Sequence, residues 1–220
     1  MTPIEHLTTA AKHACYDANE IVRLIDILRA GNDKEVFPEI NRRKAAPTAI
    51  QIQNALFTRL HLVVCRHYGP IRDDDYSAGT AFKYLGDATV VDELVRTGSR
   101  PRREALKDWR LKYDVYSRDP KLMAYIHIRN KDVAHLAFKN PNIQPPVIKE
   151  MFDAGEVTAM LLDELARAMG TASTDMTFER KEQKKSAEAF WGIWKRSPSD
   201  SETCTKNESE SNKSAGHDSK

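Results

Sequence analysis

Apolar residues recur at three- and four-residue steps through most of the chain, the spacing that puts them on one face of a helix. A first helix is predicted from about Pro3 to Ala30, with Ile21, Leu24, Ile25 and Leu28 on one face and Gly31-Asn32-Asp33 ending it. Pro47 or Thr48 opens a second through Ile50, Ala55, Leu56, Leu60, Val63 and Val64, stopped at Gly69-Pro70. Residues 73–96 are less regular. After the break at Gly98 to Pro101, helical spacing resumes over Arg102 to Tyr116, and Asp119-Pro120 caps the start of a fifth helix that runs to about Phe138. Pro146 to Met169 is strongly periodic and stops at Gly170, and a last short helix covers about Phe178 to Lys195. No alternating β-branched run is bounded by turns on both sides. The fold class is therefore all-α, a single bundle of about seven helices.

Composition narrows this picture at its end. Residues 197–220 hold seven serines and no Leu, Ile, Val, Met or aromatic residue, so they lack the apolar surface that offsets the entropy of ordering. They are expected to form a disordered tail to one domain over residues 1–196. Without them the chain carries 31 basic and 27 acidic groups, a net charge of +4 that suits a meeting with phosphate without demanding it. No apolar run reaches the roughly 18 residues of a membrane span, and Glu5, Lys12, Asp17, Glu20, Arg23 and Asp26 exclude a secretory signal. A cytoplasmic protein with no membrane partner is expected. Cys15, Cys65 and Cys204 are widely separated and have no metal-ligand spacing, so neither a metal nor another cofactor is expected.

The most informative strip is Tyr125 to Leu136. At about 100° per residue, Leu122, Ile126, Val133 and Leu136 fall close to one line, and Arg129 falls inside that stripe. A buried guanidinium costs several kcal/mol unless paired, so an arginine on an apolar face needs a reason. Asp132 is a partner at the i, i+3 spacing. His135 lies about 120° round from Arg129 and about 9 Å along the axis, too far for direct contact but near enough to border one groove against a second surface. That surface is either another helix or the same helix of a second copy. The plainer alternative is that Arg129 pairs with a carboxylate in the bundle and His135 caps the helix end.

The string Ile128-Arg129-Asn130-Lys131-Asp132-Val133-Ala134-His135-Leu136 resembles the Arg-polar-x(4 to 6)-His signature of the HEPN superfamily and is most similar to its AbiU-like abortive-infection branch. Asp119-Pro120-Lys121-Leu122 adds to the likeness, and the helical plan covers roughly residues 1–170, leaving the C-terminal part unmatched. The resemblance implies a metal-independent endoribonuclease that works as a homodimer across one composite cleft, with RNA as substrate and a cognate antitoxin as a further partner. It implies catalytic His135, Arg129 on the phosphate and Asn130 orienting both, with Asp132 in support. The chemistry suits these residue types. An imidazole titrates near neutrality and can take the proton of an attacking 2′-hydroxyl or return one to the leaving oxygen. An arginine fork can hold phosphate oxygens as their charge grows. A second function class is a catalytically silent module of the same fold, binding nucleotide, RNA or a partner protein, and a third is a helical interaction protein with no site at all.

Four further arginines are candidate nucleic-acid contacts. Arg59 and Arg66 lie on one basic edge of the second helix with His61 and His67 nearby, and Arg102 and Arg103 precede a helix whose first turn favours an anion. An ordinary solvated face is the alternative for all four. Asp73-Asp74-Asp75 reads as acids opening a helix rather than a cation site, and Phe190, Trp191 and Trp194 as an aromatic edge for docking.

Overall fold

The computed structural model describes residues 1–71, 75–97, 102–132, 148–172 and 176–195, the side chains at 128–132, 148 and 176–179 excepted. Helices account for nearly all of the regular structure, and no strand occurs among the described residues. There are nine described helices rather than seven: α1 (Pro3–Gly31), α2 (Val36–Arg42), α3 (Ala46–Arg66), α4 (Ala78–Tyr84), α5 (Ala88–Thr97), α6 (Arg103–Tyr116), α7 (Pro120–Asp132), α8 (Ile148–Ala168) and α9 (Met176–Gly192). The two additional helices arise because α2 was not expected and because the irregular stretch divides into α4 and α5. The expected extension of α7 to Phe138 and the tail at 197–220 lie outside the described residues.

Helix α1 is the axis of the bundle. Thr2 and Glu5 form a reciprocal capping box at its start, with Thr2 N–H donating to Glu5 Oε2 at 2.7 Å and Glu5 N–H to Thr2 Oγ1 at 3.2 Å. Its apolar stripe is buried from Leu7 through Leu28, and α8 packs along it. The approach is close because Gly155 of α8 faces α1. A Cβ there would come within 2.9 Å of Ile25 Cδ1.

Helix α6 lies against α8 in antiparallel register, tied at three levels. Arg102 N–H donates to the Ala168 carbonyl at 3.1 Å, the buried indole of Trp109 to Leu161 O at 2.7 Å, and Tyr116 Oη–H to Ala154 O at 3.2 Å. The deeply buried Trp109 and the half-buried Tyr116 need partners for their polar ends, and these backbone carbonyls supply them. A second, smaller core forms where the end of α9 meets α2 and the start of α3, from Val36, Ile40, Ala49 and Trp191. Trp191 is 2% exposed and Phe190 56%, so the expected aromatic edge divides into one docked ring and one at the surface.

Helix α7 packs mainly on α3 and touches α8. Asp119 caps it, its Oδ1 accepting from the N–H groups of Lys121 at 2.8 Å and Leu122 at 3.1 Å. Leu122, Tyr125 and Ile126 are buried. The apolar stripe read from the sequence is thus observed as far as Ile126, immediately before the side chains that fall outside the description.

Candidate functional site

The backbone of Arg129, Asn130 and Asp132 forms the last turn of α7. Their side chains, and the whole of His135, lie outside the described residues. What the structure shows is the support beneath that turn. His61 of α3 is half-buried, with Nε2 2.9 Å from the carbonyl oxygen of Tyr125 and its ring edge-on to Tyr125 at 6.1 Å between centroids. A carbonyl only accepts, so Nε2 carries the hydrogen and donates.

The two arginines expected beside His61 face elsewhere. On α3 they stand about 160° and 140° round the axis from His61, and both meet α1. Arg59 makes a two-pronged pair with Glu20, Nε to Oε1 at 2.7 Å and Nη2 to Oε2 at 2.9 Å. Those hydrogen bonds, followed by the carboxylate's charge, raise the guanidinium pKa. Arg66 donates through Nη2 to Oδ2 of Asp17, which is nearly buried. Burial lowers the pKa of Arg66.

His67 completes this knot. It is fully buried, and its Nδ1 accepts from the Ala78 N–H at 3.1 Å, which leaves the ring hydrogen on Nε2. Nε2 lies 3.1 Å from Asp17 Oδ2. The approach is short but off-line, so it is an electrostatic contact rather than a well-formed hydrogen bond. The His67 carbonyl in turn accepts from Tyr113 Oη–H at 2.6 Å. Burial, reinforced by the Arg66 charge, pulls the His67 pKa down to about 3. The imidazole is therefore neutral at physiological pH, and the knot ties α1, α3, α4 and α6 together rather than moving protons.

The second arginine pair is also divided. Arg103 is engaged with Asp92 of α5, and Arg102 is the exposed residue preceding α6. Of the three aspartates at 73–75, only Asp75 is described. Among the described residues no group of three or more His, Cys, Asp or Glu side chains is arranged to hold a metal ion. No described helix is long and apolar enough to cross a membrane.

A concavity of about 640 Å³ lies between α1, α3 and α9, lined by Arg23, Ile27, Ile52, Leu56 and Trp191 among others. Ile52 stands about 180° from His61 on α3, so this groove opens away from α7. Sequence reasoning placed His61 only in the neighbourhood of a basic edge. Its tie to α7 had no local signal, because Tyr125 is 64 residues away in the chain.

Comparison with known proteins agrees with the family resemblance drawn from the sequence. The sequence model of the HEPN AbiU2 family matches residues 1–190. It therefore takes in most of α9 and extends past the limit near residue 170 expected from the sequence. No curated protein and no solved structure gives a match. With nearly the whole helical bundle inside the matched span, the chain belongs to the AbiU2 family of HEPN proteins.

Proposed function

We propose that this protein is a metal-independent endoribonuclease of the toxin or phage-defence type, acting in the cytoplasm at a composite site formed by two copies of the chain. The observation that carries the reading is the sequence string Arg129-Asn130-x(4)-His135, whose Arg129 and Asn130 lie in the last described turn of α7, within a chain that the AbiU2 family model matches over residues 1–190. In the proposed reaction the RNA 2′-hydroxyl attacks the adjacent phosphorus. His135 of one copy takes the hydroxyl proton, and His135 of the other protonates the departing 5′-oxygen. Arg129 holds the phosphate oxygens as charge develops, Asn130 orients Arg129 and His135, and Asp132 supports Arg129. A cognate antitoxin would restrain the activity by covering the cleft.

His135→Ala tests this directly. The variant loses cleavage of total RNA and any growth toxicity, while its melting temperature stays close to that of the wild type, as expected where the imidazole transfers protons rather than packs the core. Activity persists in EDTA. Cleavage retained by purified His135→Ala protein, or strict dependence on an added divalent cation, sinks the assignment.

A second reading has one observation in its favour. Arg59, Arg66 and Arg103, three of the four arginines offered as RNA contacts, are engaged with Glu20, Asp17 and Asp92. Arginines already paired with carboxylates make weaker phosphate contacts, which favours the silent module in its form that binds a partner protein. Nucleotide-dependent thermal stabilisation without cleavage would favour that module.

A further inference from the structure

The hydrogen bond from His61 to α7 lands on a particular atom. In an α-helix the carbonyl of residue i accepts the amide of residue i+4, so the Tyr125 oxygen is the acceptor for the amide of Arg129. The carbonyl has two lone pairs, and His61 Nε2–H takes the second at 2.9 Å. Tyr125 is 1% exposed, and the His61 ring stands edge-on to its ring. One residue of α7 is thus gripped by its side chain and by its main chain, both from α3. These two grips fix the rotation of α7 about its axis immediately before the turn that bears Arg129 and Asn130.

We infer that His61 is a positioning residue of the ribonuclease site, holding the turn of Arg129 in register through the Tyr125 carbonyl; the inference rests on the function proposed above. Two details support a positioning role over a purely structural one. The bond reaches a carbonyl that the helix already satisfies, so it is not needed to rescue a buried orphan. His61 is also half-buried rather than part of the core, so its loss leaves the packed stripe of Leu122, Tyr125 and Ile126 intact. What depends on the bond is the direction in which the last turn of α7 points. A site built on an arginine fork is sensitive to misplacement on the ångström scale.

Two variants of the full-length chain separate the donor from the bulk. His61→Leu keeps an apolar side chain beneath α7 but removes the hydrogen, whereas His61→Gln offers an amide N–H at a similar reach. On a fluorescently labelled single-stranded RNA, His61→Leu is expected to lower kcat by about ten- to a hundredfold with little change in KM, and His61→Gln to restore most of it. Amide hydrogen exchange at residue 129, followed by NMR, is expected to quicken in the leucine variant and to return toward the wild-type rate in the glutamine variant. Wild-type kcat in His61→Leu, a glutamine variant as impaired as the leucine one, or unchanged exchange at residue 129 overturns the role of His61. A wild-type protein with no His135-dependent cleavage overturns the function instead, and the exchange rates still show whether His61 holds that turn.

Discussion

Helix α3 presents two faces of similar composition and different use. Toward α1 it turns Arg59 and Arg66, with His67 just beyond its end, and every one of these groups meets an acidic partner on α1. Toward α7 it turns His61, which donates to a neutral main-chain oxygen. The first face is charged and committed to holding the bundle together. The second spends one polar group on aiming another helix. A basic edge read from sequence does not distinguish these uses, because the partner decides and the partner belongs to a different helix.

The largest expected consequence of breaking this arrangement is at Asp17. Its carboxylate, 6% exposed, is shared by Arg66 and faces the buried Nε2 of His67. In Asp17→Ala the buried imidazole loses a facing carboxylate, and Arg66, whose side chain is 41% exposed, loses its partner where water still reaches it. The expected cost is about 2 to 3 kcal/mol, below the roughly 3 to 5 kcal/mol typical of a fully buried pair and above that of an exposed one. Urea unfolding of wild type and variant measures it, and a loss below about 1 kcal/mol, the range of an exposed pair, would show that the knot is solvated after all. His61→Leu, by contrast, should leave the urea midpoint nearly unmoved.

A smaller effect separates the faces by pH. His67 has a folded pKa of about 3 against an ordinary 6.5, so between these values the unfolded chain binds the proton and the native protein does not. Native stability therefore falls on acidification from pH 6.5 toward 3, by up to about 1.4 kcal/mol for each pH unit. Most carboxylates begin to titrate below about pH 5, so over the interval from 6.5 to 5 the histidine contributes about 1.6 kcal/mol, opposed by Asp26, whose pKa burial raises. His67→Gln, which retains an acceptor for Ala78 N–H, should be less stable than wild type at neutral pH and flatter over that interval. An equal slope in both proteins would assign the acid sensitivity elsewhere.

How much of this was legible in the sequence follows from how local each signal is. The start and end of α1 are legible because Thr2, Pro3 and Glu5 cap it within four residues and Gly31-Asn32 stop it. The seven residues of α2 are not. Two turns carry only Val36 and Ile40 as buried apolar positions, and no side chain caps its start. Beyond the local pairs of Glu39 with Arg42 and Arg43, its support is tertiary, including Trp191 of α9 packed on its apolar side. The division of residues 73–96 was missed although Ser77 caps α4, its Oγ accepting from Thr80 N–H at 3.3 Å, and Gly86-Asp87 separates α4 from α5. Arg129 and Asn130 were legible as a string with a family resemblance. The pairing of Arg59 and Arg66 was not, since Glu20 and Asp17 lie 39 and 49 residues away.

The smallest expected effect is at Arg59, where the comparison is at its sharpest. Arg59 is 55% exposed on its side chain, and an exposed ion pair contributes about 0.2 to 1 kcal/mol even with good geometry, because water and salt screen it. Arg59→Ala should therefore barely change stability. Its effect on RNA is also small, for a reason specific to its partner. To grip a phosphate the guanidinium must release the two hydrogen bonds from Glu20, so any gain is net of that loss. Arg59→Ala is accordingly expected to weaken RNA binding by less than about threefold, well below what an uncommitted phosphate contact contributes. Glu20→Gln makes the complementary change, freeing the cation without moving it. Binding to single-stranded RNA should then tighten and depend more steeply on salt, by up to about 0.7 in the logarithmic slope for one added contact. Fluorescence anisotropy across a salt series reads both variants. A large loss in Arg59→Ala with no gain in Glu20→Gln would mean that the α1-facing side of α3 meets RNA with its ion pair already broken, and the division between the two faces would fail.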